Sequence, residues 1–322
     1  MGSRIDASFA RTSLANFVTD GIREVVRHEV LGDGRSRDQL IDEDRLFANL
    51  LSSQPLCFNL FGELARDLAL ATTVLRDLVP DRIEQVTEID FEHSPGRSDA
   101  RYTSDRSAFD VFVRYEAPRG ARGFLGIEVK YHEGLGEPAA SHRARYDEIA
   151  DAMACFRADR SVLRASPLQQ IWRDHLLAGS LIEHGDFDEG LFVFLAPSRN
   201  RACRRAVEKY EQQLVRTDTF CALHLETVID AIARATDAPW VEAVRSRYLD
   251  FASVSEALDP RCPKCGVRDA APIVFGEPSP EAEAAAQRGE LVLGGCCGDE
   301  DDDPWSCRRC GNAWARRPHA PR

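Results

Sequence analysis

The sequence contains no run approaching the ~20 consecutive apolar residues of a membrane helix, which excludes a helical membrane span. Met1 to Ala10 lack an apolar stretch behind a basic start, so a secretory leader is not expected. A soluble, cytoplasmic protein is the expectation. Its 10 cysteines would then sit in a reducing compartment, where disulfides are a poor expectation. A basic excess is missing too: the net charge of −12 argues against a surface coated for nucleic acid. No internal repeat is found, and no glycine-rich phosphate loop follows a strand pattern, which leaves a nucleotide-using small-molecule enzyme without support.

What remains is 322 residues, 43% hydrophobic and 29% charged, enough for one large domain and something smaller. Ser13 to Leu51 reads as a helical cap in two pieces, split at Gly32-Asp33-Gly34. From Gln54-Pro55 a stronger helix is predicted to run to Pro80, with Leu60, Leu64 and Leu68 on one face and Asn59, Glu63 and Asp67 on another. The period then changes from helical to strand-like. Strands are predicted over Arg82–Glu92, Phe109–Tyr115 and Phe124–Tyr131, separated by turns at Ser94-Pro95-Gly96 and Pro118-Arg119-Gly120. Helices at Arg143–Phe156 and Pro167–His184, a buried strand at Leu191–Leu195, and helices near Arg201–Val215 and Pro239–Leu249 complete an α/β domain with a mixed sheet. Composition shifts at Asp259-Pro260, where glycine, proline and cysteine become dense.

Alternation puts Glu128 and Lys130 on one face of the third strand, while Asp110 lies on the preceding strand of the same hairpin. Strands ~5 Å apart let Asp110 and Glu128 chelate one ion if the register is right. Carboxylate oxygens suit Mg²⁺, with Mn²⁺ as an alternative, and such an ion polarises a phosphodiester. Lys130 could orient or help deprotonate a water and offset transition-state charge. By spacing alone, a solvent-facing ion pair between Glu128 and Lys130 explains the pattern equally well. Arginines 97, 101, 106, 114, 119 and 122 gather around these residues, either as solvated surface or facing phosphate.

Asp110 followed by Glu128-Val129-Lys130, in this order of elements, resembles the PD-(D/E)xK nuclease superfamily. Leu51 to Gly62 is similar to a bacterial restriction-endonuclease branch of it. The resemblance covers about Arg45 to Asn200 and implies a restriction-endonuclease-like mixed β-sheet flanked by helices. It also implies Mg²⁺-dependent hydrolysis of DNA in restriction or defence. Phe109 stands where the motif has proline. The resemblance further implies an acidic residue on the preceding helix, where Glu63 stands, and a glutamine-bearing helix near the site, here with Gln169 and Arg173 as substrate-facing candidates. Trp172 is read as core, and His132 alternates away from Lys130.

Cys262-Pro-Lys-Cys265-Gly and Cys307-Arg-Arg-Cys310-Gly are two C-x₂-C-G knuckles, the spacing that brings four thiolates to a tetrahedral, structural Zn²⁺. Trp305 and Trp314 would cover such a ribbon, and Arg308, Arg309, Arg316 and Arg317 lean toward nucleic acid. Cys296 and Cys297, beside the acidic run Asp299–Asp303, are adjacent and so chelate one ion poorly. The expected organisation is a helical cap (1–50), a nuclease-like domain (51–258) and a zinc ribbon (259–322). The expected partner is DNA, with a homodimer as a second expectation. The alternative is a catalytically silent nucleic-acid-binding or adaptor protein that works through the ribbon; intact Asp110, Glu128 and Lys130 favour the enzyme.

Overall fold

The computed structural model describes residues 3–32, 39–250, 261–295 and 305–314. Most of the Gly32-Asp33-Gly34 break lies outside the described residues. So do Asp259-Pro260, Cys296, Cys297, Asp299–Asp303, Arg316 and Arg317. The chain divides into two compact units, 1–247 and 248–322.

The first unit is built on a five-stranded mixed sheet. Its strands are β1 (Gln85–His93), β2 (Phe109–Glu116), β3 (Arg122–Val129), β4 (Glu189–Ala196) and β5 (Phe220–His224), in that spatial order. β1, β2 and β3 form an antiparallel meander, and β4 and β5 continue the sheet in parallel. On one face lie α3 (Ser53–Arg66), α4 (Leu68–Leu78) and α8 (Leu225–Ala235), which close over Leu125, Ile127, Val193 and Leu195 with Phe61, Leu75 and Val228. On the other lie α5 (Ala144–Met153), α6 (Leu168–His184) and α7 (Arg201–Glu211). Phe112, Phe124, Phe192 and Phe194 point into that layer against Ile149, Trp172, Leu176 and Tyr210. Each such fully buried side chain contributes roughly 1.5–3 kcal/mol over its exposed state, so the sheet is held from both sides. α9 (Pro239–Leu249) ends the helical series.

Three sequence expectations change. The long helix predicted after Gln54 is two helices, because Asp67 leaves helical geometry (φ −128°, ψ 86°) and turns its carboxylate to cap the Leu70 N–H at 2.9 Å. The helical cap is two short helices, α1 (Ala7–Ser13) and α2 (Asp20–Val26), with π turns at Arg27–Leu31 and Asp44–Ala48. β5 and α8 were not anticipated: β5 is a five-residue edge strand in which only Phe220 is fully buried. The polar stripe on α3 exists, but it docks the N-terminal segment. The buried Asn59 accepts from the Val18 N–H (2.9 Å) and donates to the Asn16 carbonyl (3.0 Å).

In the second unit, β6 (Ala270–Val274), β7 (Val292–Leu293), β8 (Trp305–Cys307) and β9 (Ala313–Trp314) form a small sheet in the order β7-β6-β8-β9. α10 (Pro280–Gln287) is inserted between β6 and β7.

Candidate active site and metal centres

The β2–β3 register sums constantly from Glu116↔Arg122 to Val111↔Ile127, so the next step sets Asp110 across from Glu128. Both acids line a cleft of about 480 Å³ whose walls also carry Gln54 of α3 and Gln170 and Asp174 of α6. Phe109, in place of the motif's proline, is fully buried. Its ring fills the space above Gly126, where an added Cβ would come within 2.4 Å of it. The start of β2 is thereby clamped against β3, which fixes the Asp110 backbone.

Asp110 Oδ2 accepts the Val129 N–H at 2.7 Å. Glu128, only 4% exposed, receives two donors on Oε1: Lys130 Nζ at 2.6 Å and Gln170 Nε2 at 2.7 Å. Burial, then the charges of Glu128 and Glu92, push the Asp110 carboxyl well above the usual carboxylate range. Burial works to lower the Lys130 pKa, but Glu128 and Asp110 outweigh it and hold the amine above its ordinary value. Beside these carboxylates the amine is favoured in its charged form. Asp174 on α6 also lines the cleft. Burial, then Glu128, raises its pKa, and its Oδ2 has no hydrogen-bond partner.

Other sequence candidates lie differently. Glu63 is not at the cleft: it accepts from Thr19 Oγ1 (2.5 Å) and pairs with Arg66 (3.2 Å), on the side of α3 that holds α2. Gln169 lines the cleft, yet both amide atoms are spent on the Ala140 backbone, each at 2.6 Å, so it ties down the cleft wall. Its neighbour Gln170 is the glutamine that meets Glu128. Arg173 also lines the cleft and is braced by Asp105 (2.9 Å) and Ser107 (3.1 Å). Trp172 is core, fully buried and edge-on to Tyr146 and Phe156.

Sequence reading missed Glu92 of β1 and Gln54 of α3. The register places Glu92, between Phe91↔Val111 and His93↔Phe109, across from Asp110. A positive φ of 53° at Glu92 would not show in a strand pattern, and three acidic residues alternate there, which hides the one that matters. Lysine scarcity could have marked Lys130: lysine stands only at Lys130, Lys209 and Lys264 among 41 basic residues.

In the second unit, the sulfur atoms of Cys262, Cys265, Cys307 and Cys310 all lie within 4.8 Å of one another. Both knuckles fold alike. Gly266 N–H bonds the Cys262 carbonyl (2.9 Å) and Gly311 N–H the Cys307 carbonyl (2.8 Å), with φ of +71° and +69° that favour glycine. Among the described residues this is the one group of three or more potential metal-ligating side chains so close. Trp305 and Trp314 face each other across β8 and β9. Arg308 and Arg309 are both exposed; Arg308 is tied at the surface to Asp269 (3.0 Å) and the Gly289 carbonyl (2.7 Å). No described helix is long and apolar enough to cross a membrane.

No curated protein and no solved structure matches the chain. The family model for the PD-(D/E)XK nuclease superfamily matches residues 1–250, the whole of the sheet with its two helical layers and the Asp110–Glu128–Lys130 cleft, and the chain belongs to that superfamily.

Proposed function

We propose that the protein is a divalent-metal-dependent deoxyribonuclease of restriction or defence type, cutting at the cleft of Asp110, Glu128 and Lys130. The observation that carries this reading is Asp110 set across from Glu128, with Lys130 bonded to Glu128, in a superfamily of nucleases. The donor set is hard oxygen, with buried acceptors in excess of donors, which fits Mg²⁺ and its substitute Mn²⁺ better than a softer ion. When bound there, such an ion supplies Lewis-acid stabilisation of the phosphate and a more acidic water.

The chain's own residues do the rest. The Val129 N–H holds one Asp110 oxygen and leaves the other as a ligand; Gln170 and Lys130 hold one Glu128 oxygen in the same way. Lys130, an ammonium, donates to the phosphoryl oxygens and offsets their growing charge. Arg106 lines the cleft from an exposed position and supplies a cation for neighbouring phosphates.

Residues 51–258 are assigned cleavage, with Leu40 and Arg45 of the preceding segment lending two side chains to the cleft wall. Residues 259–322 are assigned zinc. Spacings of 3.6 Å for Cys262–Cys310 and Cys265–Cys307 support this, against the ~3.8 Å edge of a tetrahedron with Zn–S of ~2.3 Å. The reading includes a homodimer on DNA, which would set one such centre at each strand.

Supercoiled plasmid incubated with the purified chain should be nicked or linearised with Mg²⁺ or Mn²⁺ and left intact with EDTA. Asp110→Ala, Glu128→Ala and Lys130→Ala should each lower the rate by ~10³ or more with unchanged far-UV circular dichroism. Wild-type cutting by two of the three variants would sink the assignment.

A further inference from the structure

Several cations that line the cleft are held by acids: Lys130 by Glu128, Arg45 by Glu133 and Arg173 by Asp105. The outer face of α7 does the reverse. Arg201, Arg205 and Lys209 are exposed, and among the described residues none of their side chains meets a hydrogen-bond or ion-pair partner. They recur every four residues, so they stand one above the other, about 6 Å apart along the helix. The opposite face is occupied, since Cys203, Ala206 and Tyr210 are buried in the core. Of the acids on α7, Glu208 is answered by Arg204 (3.7 Å), and Glu211 is the last residue of the helix. In a chain of net charge −12, this leaves an open row of three cations roughly 12 Å long.

The row begins beside the reaction site. Asn200, which caps α7, donates to the carbonyls of Tyr131 (3.0 Å) and Glu133 (2.9 Å), in the segment that follows Lys130 out of β3. A Cβ added at Gly134 would lie 4.0 Å from that of Ala202. Burial pushes the Cys203 thiol up to about 11, and the Lys130 charge is close enough to pull against it. The first turn of α7 is thus fixed to the end of the catalytic strand, and Arg205 and Lys209 lead away from it. No α7 residue lines the cleft, so a phosphate held on this face is a neighbour of the one being cut.

We propose that the outer face of α7 is a docking surface for the backbone of duplex DNA flanking the scissile phosphate, with Arg201, Arg205 and Lys209 as the phosphate contacts. The inference rests on the nuclease reading for its partner. Cations without a protein acid are free to replace the counterions of DNA, whose release drives such contacts. They set the position of the strand in the cleft and carry no sequence information.

The test is binding of a fluorescein-labelled duplex of about 30 base pairs by the full-length, zinc-loaded chain, read by anisotropy with Ca²⁺ replacing Mg²⁺, from about 50 to 200 mM salt. Each phosphate contact contributes ~0.9 to the slope of log affinity against log salt, so Arg201→Ala/Arg205→Ala/Lys209→Ala should lower that slope by about 2–3 and weaken binding tenfold or more. Arg201→Glu/Arg205→Glu should weaken it at least as much. Acids in a first turn suit the helix dipole, so this second variant keeps α7 folded, which far-UV circular dichroism and melting check. Arg119→Asn removes an exposed cation from the turn between β2 and β3, at a φ of 72° that asparagine tolerates, and should leave affinity and slope as in wild type. An equal loss in Arg119→Asn would mean that binding follows net charge and not this face, and the proposal falls. It falls too if the triple variant binds with wild-type affinity and slope; wild-type plasmid cutting by that variant would then leave the nuclease reading standing, with the row facing solvent or an acidic protein. A wild type that neither binds the duplex nor cuts plasmid takes the nuclease reading down as well.

Discussion

The two candidate metal centres of this chain are built on opposite plans. In the second unit four sulfurs already converge within 4.8 Å on paired knuckles, a closed set with no position left for a substrate. In the first unit the carboxylates stand one per strand in a row, Glu92 and Glu128 buried and Asp110 half-buried, with acceptor atoms unpartnered at Gln54 and Asp174. A closed thiolate set returns its binding energy as folding. An open carboxylate set leaves part of the coordination sphere to water and phosphate, as chemistry requires. The preorganisation of one centre and the incompleteness of the other follow from what each has to do.

Removing metal should therefore have its largest effect on the sulfur centre. Structural zinc in such modules is worth ~10–16 kcal/mol at neutral pH, more than a segment of this size can replace from its core. One zinc per purified chain is expected. A strong zinc chelator, or the pair Cys262→Ser/Cys307→Ser, should abolish amide-exchange protection after residue 261. Protection in β1–β5 should persist, and Mg²⁺-dependent cutting should return when Mg²⁺ is restored. Zinc-free protein with an intact second unit would break the comparison, and so would collapse of both units together.

A smaller effect separates the centres by pH. Thiolate ligation strengthens as pH rises, because each ligand must lose its proton. The carboxylate cleft should move the other way. Burial raises the Glu92 pKa to about 7, well above its value in an unfolded chain. The unfolded state thus sheds this proton first, and the stability contributed by the neutral folded carboxyl is present at acid pH and lost as pH rises through about 7. Asp110 and Asp174, raised mainly by burial, add in the same direction. In EDTA-free buffer without divalent cations other than zinc, urea unfolding of the first unit should weaken from pH 5.5 to pH 8, by on the order of 2 kcal/mol for Glu92. Glu92→Gln should remove the part of the decline that levels off near pH 7, and Mg²⁺ should reduce it in wild type. A wild-type profile that is flat, or a decline in Glu92→Gln as steep as in wild type, would show that this carboxyl is ionised in the fold.

The sequence carried the features whose signals are local. The alternation in β2 and β3 showed that Glu128 and Lys130 share a face, and the two C-x₂-C-G knuckles announced four converging cysteines. It could not carry what register and tertiary contact decide. Glu92 meets Asp110 only because β1 pairs with β2 in one register, and Gln54 reaches Glu92 from 38 residues away. Gln169 and Gln170 are equally plausible on a helical wheel, yet the loop carbonyl at Ala140 claims one and Glu128 the other. Asp67 ends α3 by capping the next helix, an event that a helical period running through it conceals.

Glu63 gives the finest test, since it was the resemblance to the superfamily that put it with the catalytic acids. Its carboxylate instead ties α3 to the start of α2 through Thr19, whose hydroxyl also caps that helix by accepting the Ile22 N–H at 3.0 Å. Arg66 bridges Glu63 to Glu24 of α2 from a half-exposed position, where screening leaves little energy to either ion pair. Glu63→Ala should thus cost about 1 kcal/mol of stability, chiefly through the lost Thr19 hydrogen bond, and nothing in catalysis. The variant should cut plasmid at the wild-type rate with the same Mg²⁺ dependence, while melting a few degrees lower and exchanging the α2 amides faster. A fall in cutting of tenfold or more with an unchanged melting temperature would instead return Glu63 to the cleft, and would mean that α3 turns its carboxylate stripe toward the sheet edge when nucleic acid is bound.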